Sequence, residues 1–176
     1  MNRTRAMTRL ARELTAQLAL TPPFQPTRFV SRLAEVRGLT ITLIPFPMLG
    51  AANGFCLRVG ETEYLVYYDP EASPRTLGRI IFHEAAHIIL GHVAISTPEQ
   101  IADMLCTLTP TRGSALARFR RPRYSLPCEL DAEALAIALT ALSFRSSAPL
   151  DQAPHVVAED DQAPSEIGAF YDELGF

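Results

Sequence analysis

The sequence contains no lysine: all sixteen of its basic residues are arginine. Alongside abundant alanine, that absence is a mark of coding bias and carries no mechanism. Cysteine is scarce, and Cys56, Cys106 and Cys128 are odd in number and lack CxxC spacing. This argues against a disulfide framework or a cysteine zinc ribbon and points to small buried residues. No apolar run approaches the roughly 18 residues needed to span a bilayer, and Arg3, Arg5, Arg9 and Arg12 interrupt the first apolar stretch. A soluble, cytoplasmic protein with no membrane partner is the expectation. The net charge of −3 gives no surplus of positive charge for general nucleic-acid binding. With 176 residues, 48% of them hydrophobic, the chain has length for one domain with a substantial core and not for a second full one.

What is present is concentrated in one stretch. Three of the four histidines fall between 83 and 92, and two of them frame His83-Glu84-Ala85-Ala86-His87. On a helix, residues four apart lie about 40° apart around the axis, so both imidazoles share a face. Neutral imidazole is a natural zinc ligand, and the intervening Glu84 is placed to act on a water beside the ion. The flanks support a helix. Ser73-Pro74 supplies an N-cap and a proline at the first helical position, Gly91 a stop, and Leu77, Ile80, Ile81, Ile88 and Ile89 a wide apolar surface. Any amphipathic helix can carry His-Glu-x-x-His by chance, so the flanks matter as much as the motif.

Around this stretch the periodicity predicts an α+β domain. Residues 3–20 form an amphipathic helix on Met7, Leu10, Leu14 and Leu18, and a second spans about Pro26 to Arg37. Leu39–Ile44, Phe55–Val59 and Tyr64–Asp69 read as three strands, with a tight hairpin at Gly60 joining the last two. A small antiparallel or mixed three-stranded sheet should therefore pack against the motif helix, and an exposed edge could accept an extended peptide. Thr97-Pro98-Glu99-Gln100 opens a helix to about Leu108, and Pro110–Pro127 reads as a loop or lid carrying Arg118, Arg120, Arg121 and Arg123. Cys128 to Phe144 is helical again. Residues 1–144 make the domain; 145–164, with Asp-Gln-Ala-Pro twice, read as a flexible acidic linker, and 165–176 as a short amphipathic segment on Ile167, Phe170, Tyr171 and Leu174.

A catalytic zinc usually takes three protein ligands, so one remains to be found. His92 falls about 140° round the helix from His87 if the helix continues, and reads as a helix-end residue. The 128–144 helix should hold the third ligand, with Glu129, Asp131 and Glu133 as the acidic choices and alanines allowing close approach. Tyr124, just before it, is a possible oxyanion donor or a packing residue.

The chain resembles the ImmA/IrrE family of small metallopeptidases, which are zincins with a glutamate ligand. The resemblance spans about Pro26 to Leu142 and rests on Asp69-Pro70, Ser73-Pro74-Arg75, His83-Glu84-x-x-His87 and Glu129-x-Asp131-Ala132-x-x-Leu135-Ala136. It implies that Glu129 is the third ligand beside His83 and His87, with Glu133 and Asp131 as substitutes. The chain departs from the family in the long 92-to-129 connection and in Leu135, where phenylalanine is common. The implied activity is zinc-dependent hydrolysis of a peptide bond in a specific protein, with Glu84 as general base. The implied substrate is a helix-turn-helix repressor encoded nearby. Two alternatives keep the same site: a zinc-stabilised module that grips a transcription regulator without cutting it, and a member of a toxin–antitoxin-like pair. Zinc is the default for two histidines and a carboxylate, although manganese or iron fit the same ligands.

Overall fold

A computed structural model describes residues 2–47, 54–102 and 124–144. Residues 110–123 of the arginine-bearing loop, Cys106, the end of the helix that opens at 98, the linker and the C-terminal segment lie outside the described residues, while Leu126 and Pro127, expected in that loop, already belong to the last helix. The protein is a mixed α/β structure with a small three-stranded mixed sheet and several helices. No described helix is long and apolar enough to cross a membrane.

Two helices come first, α1 (Arg3–Gln17) and α2 (Pro26–Arg37). Asn2 caps α1, its side chain accepting from the Thr4 N–H. The expected run to residue 20 stops three residues early because Ala19 turns to φ 50°, which leaves Leu18 and Leu20 buried but outside the helix. Gly38 ends α2 with φ 62°, a left-handed conformation that glycine adopts without steric cost.

The strands are β1 (Thr40–Pro45), β2 (Gly54–Arg58) and β3 (Glu63–Tyr68), in the order β1-β3-β2. β2 and β3 form the expected antiparallel hairpin, while β1 runs parallel to β3. Alternation buries both faces near β2: Cys56 and Val66 on one side, Phe55, Leu57 and Tyr67 on the other. Phe55 stacks on Tyr67 with ring centroids 4.6 Å apart.

Helix α3 (Pro74–Ile89) carries the histidine motif, and α4 (Leu126–Ser143) carries the acidic candidates. Ser73 caps α3 through the Thr76 N–H, with Pro74 in the first turn. The two helices pack closely because their shared surface is small: Ala85, Ala86, Ala132 and Ala136 are all buried in one core with Leu135 and Leu139. Phe82 is buried on the core side of α3. It meets Phe29 edge-on at 5.5 Å and Phe24 at 6.3 Å. With Phe82 and Ala86 directed into that core, the neighbouring stripe, His83 and His87, turns toward α4.

Candidate metal centre

Glu129 lies in the first turn of α4, where the helix dipole favours a carboxylate. It meets α3 at the histidine pair. The Nε2 atoms of His83 and His87 are 3.1 Å apart, and Glu129 Oε2 is 3.3 Å from the first and 3.4 Å from the second. Ligands about 2.0–2.1 Å from a tetrahedral zinc lie about 3.3–3.4 Å from one another. The three donors thus form a triangle of the size that one face of such a coordination shell requires. No other group of three potential ligands of this kind occurs among the described residues.

The remaining acidic candidates are placed elsewhere. Asp131 pairs with Arg3 of α1 at 2.6 Å. Glu133 stands one turn beyond Glu129 and reaches the opposite nitrogen of His83, its Oε2 accepting from Nδ1 at 3.2 Å. Arg79, one turn before His83, donates to Glu133 from Nε at 3.1 Å and from a terminal nitrogen. The resulting chain, guanidinium to carboxylate to imidazole, directs the His83 Nδ1 proton at Glu133 and leaves Nε2 facing Glu129 and His87. Carboxylates behind a ligating histidine set its tautomer and orientation in this way.

His87 is 1% exposed. Its Nδ1 lies 3.1 Å from His92 Nδ1, and the Tyr124 ring stacks on it with centroids 3.9 Å apart. The Tyr124 hydroxyl is buried and has no hydrogen-bond partner among the described residues. Burial and the nearby charge of Glu84 hold that phenol well above its ordinary pKa, so it keeps its proton and remains a donor.

Glu84 is buried on the side of α3 toward β2. A Cβ added to Gly54 would come 3.4 Å from Glu84 Oε1 and 2.5 Å from Ile80 Cγ2, so the first residue of β2 lies directly against this carboxylate. Cys56 is fully buried two residues along, and burial with the charge of Glu84 pushes its thiol well up, leaving it unionised and inert.

Within the cluster, His83 and Arg79 offset part of the negative charge of Glu84, Glu129 and Glu133. Desolvation lowers the pKa of His83, but hydrogen bonds to Glu129 and Glu133 and the charge of Glu84 outweigh it and push the pKa up to about 10. Desolvation acts against ionised Glu129, yet the two histidines overcome it and pull its carboxyl down to about 2. Burial keeps His87 and His92 below the ordinary histidine value, hence neutral.

The sequence reading does not assign roles to Arg79 or to the outward nitrogens of the histidines. The available signal is spacing: Arg79 precedes His83 by one turn and Glu133 follows Glu129 by one turn, as expected of a second layer on two helices paired in opposite directions. Compared with known proteins, the chain matches no family model, no curated protein and no solved structure.

Proposed function

We propose that the protein is a zinc-dependent endopeptidase, with His83, His87 and Glu129 holding the ion and Glu84 acting as general base. The observation that carries this reading is the donor triangle of 3.1, 3.3 and 3.4 Å that Glu129 of α4 completes with the two histidines of α3, the helix that also bears the buried Glu84. When bound, zinc supplies Lewis acidity that acidifies water and polarises a carbonyl. Glu84 accepts a proton from the attacking water at its carboxylate and delivers it to the leaving amine. The Tyr124 hydroxyl, buried beside His87 and protonated, donates to the oxygen that becomes negative as the carbonyl is attacked.

The β2 edge supports a peptide as substrate. The Val59 N–H donates to the Glu63 carbonyl, so by alternation the backbone groups of Gly54, Cys56 and Arg58 point away from β3. Arg58 uses its outward carbonyl to accept from Ser96. Beyond the Arg58–Ile95 bridge, no strand pairs with this edge among the described residues. A backbone added at Gly54 and Cys56 would run past Glu84.

The identity of the substrate, a helix-turn-helix repressor encoded nearby, rests on the family resemblance alone. The zinc-loaded protein incubated with that regulator should yield two defined fragments, while Glu84→Gln should retain zinc and produce none. A Glu84→Gln protein that cleaves at the wild-type rate would remove the base assignment. A stable complex with no cleavage by the wild type would favour the non-cutting module.

A further inference from the structure

The turn that ends α3 brings a residue from outside the motif onto one of its histidines. Gly91 takes φ 71°; its N–H donates to the Ile88 carbonyl at 3.2 Å, and the His92 N–H donates to the His87 carbonyl at 3.0 Å. These paired bonds are those of a Schellman ending, which folds the residue after the glycine back over the residue five positions earlier. That contact is commonly apolar. Here it is one imidazole on another, with Nδ1 atoms 3.1 Å apart and rings inclined at 67°.

Two nitrogens at this distance require one donor and one acceptor. A histidine that ligates a metal through Nε2 carries its proton on Nδ1, so with Nε2 as the ligand atom His87 donates and His92 Nδ1 accepts. The stacked Tyr124 ring holds the face of His87 while this bond holds its edge. The partner of His83 is a carboxylate, Glu133. At His87 an uncharged acceptor does the same work without adding another negative group to a cluster that already packs Glu84, Glu129 and Glu133 together.

We propose that His92 is a positioning residue for His87: an acceptor, supplied by the helix cap, that fixes the tautomer and ring orientation of a metal-ligating imidazole. The inference rests on the metal-site reading above. Outer partners of this kind are typically worth 10–100-fold in metal affinity.

The test compares His92→Phe, which keeps an aromatic ring but offers no acceptor, with His92→Gln, whose amide oxygen can accept the same proton. Zinc dissociation constants are measured by competition with a chromophoric chelator. Visible spectra of the cobalt-loaded proteins report the geometry, and circular dichroism of the metal-free variants reports folding. His92→Phe should bind zinc roughly 10–100-fold more weakly and alter the cobalt bands; His92→Gln should recover most of the affinity and the wild-type spectrum. A His92→Phe protein with wild-type affinity and spectrum, or a His92→Gln protein no tighter than His92→Phe, overturns the inference while leaving the metal site intact. A wild type that binds neither zinc nor cobalt removes the metal-site reading, and the inference with it.

Discussion

His83 holds its proton in the metal-free protein because Glu129 and Glu133 flank it, and it must lose that proton before Nε2 can serve as a ligand. Zinc binding near neutral pH should therefore release about one proton per ion, seen in titration calorimetry as a heat that varies with the ionisation enthalpy of the buffer. A heat independent of buffer would contradict a protonated His83. Replacing Glu133 by alanine removes the acceptor behind His83 and should weaken zinc binding by about 10–100-fold without removing a ligand; chelator competition measures it. The His-Glu-x-x-His spacing made His83, Glu84 and His87 legible as candidates from the sequence. It did not separate Glu129 from Glu133, because both occupy one face of α4 and only the pairing of α4 with α3 decides which reaches Nε2 and which Nδ1. His92 is the helix-end residue that the sequence suggests, but its contact with His87 was not legible. The 140° offset holds only for a continuing helix; the left-handed turn at Gly91, the expected stop, carries His92 back to His87, and the direction of that return is set by the backbone bonds of the turn and not by spacing.

At the scale of elements, turn and cap chemistry was the most readable feature. Ser73-Pro74 starts α3, Gly38 ends α2, and the β2–β3 hairpin follows its predicted pattern. The parallel pairing of β1 with β3 was not specified by local sequence, since alternation within a strand says nothing of its neighbour; α2 packs on β1 while α3 packs on β2 and β3, and these tertiary contacts accompany the strand order. Two substitutions probe how the elements hold the site. Gly54→Ala would set a methyl 2.5 Å from Ile80 Cγ2 and 3.0 Å from the Tyr67 carbonyl oxygen. Such overpacking typically costs about 1–3 kcal/mol, so the urea midpoint should fall, and β2 should move away from Glu84. Phe82→Ala removes a fully buried ring packed on Phe24 and Phe29 and should cost about 3–5 kcal/mol; an unchanged midpoint would contradict its place in the core.

For the whole molecule, the candidate centre joins the two helices that close the core, so its protonation contributes to folding stability. The raised pKa of His83 gives stability that is present below the ordinary histidine value of 6.5 and lost as pH rises through about 10. The lowered Glu129 and Glu133 give stability present above the ordinary carboxyl value of 4.5 and lost as pH falls, for Glu129 toward about 2. The lowered His87 and His92 resist protonation when folded, so their contribution also declines as pH drops below 6.5. Thermal unfolding in the presence of a chelator should show a maximum near neutral pH with a fall on both sides, and zinc should abolish the alkaline fall. A profile flat from pH 4 to 10 would contradict the coupling of these five groups to the fold. The claim on which the functional reading depends is narrower, namely that His83, His87 and Glu129 bind one ion together. Elemental mass spectrometry of protein purified without chelator, wild type beside Glu129→Ala, tests it most directly. The account predicts about one zinc per chain in the wild type and much less in the variant; equal metal in both, or none in the wild type after zinc is supplied, would contradict it.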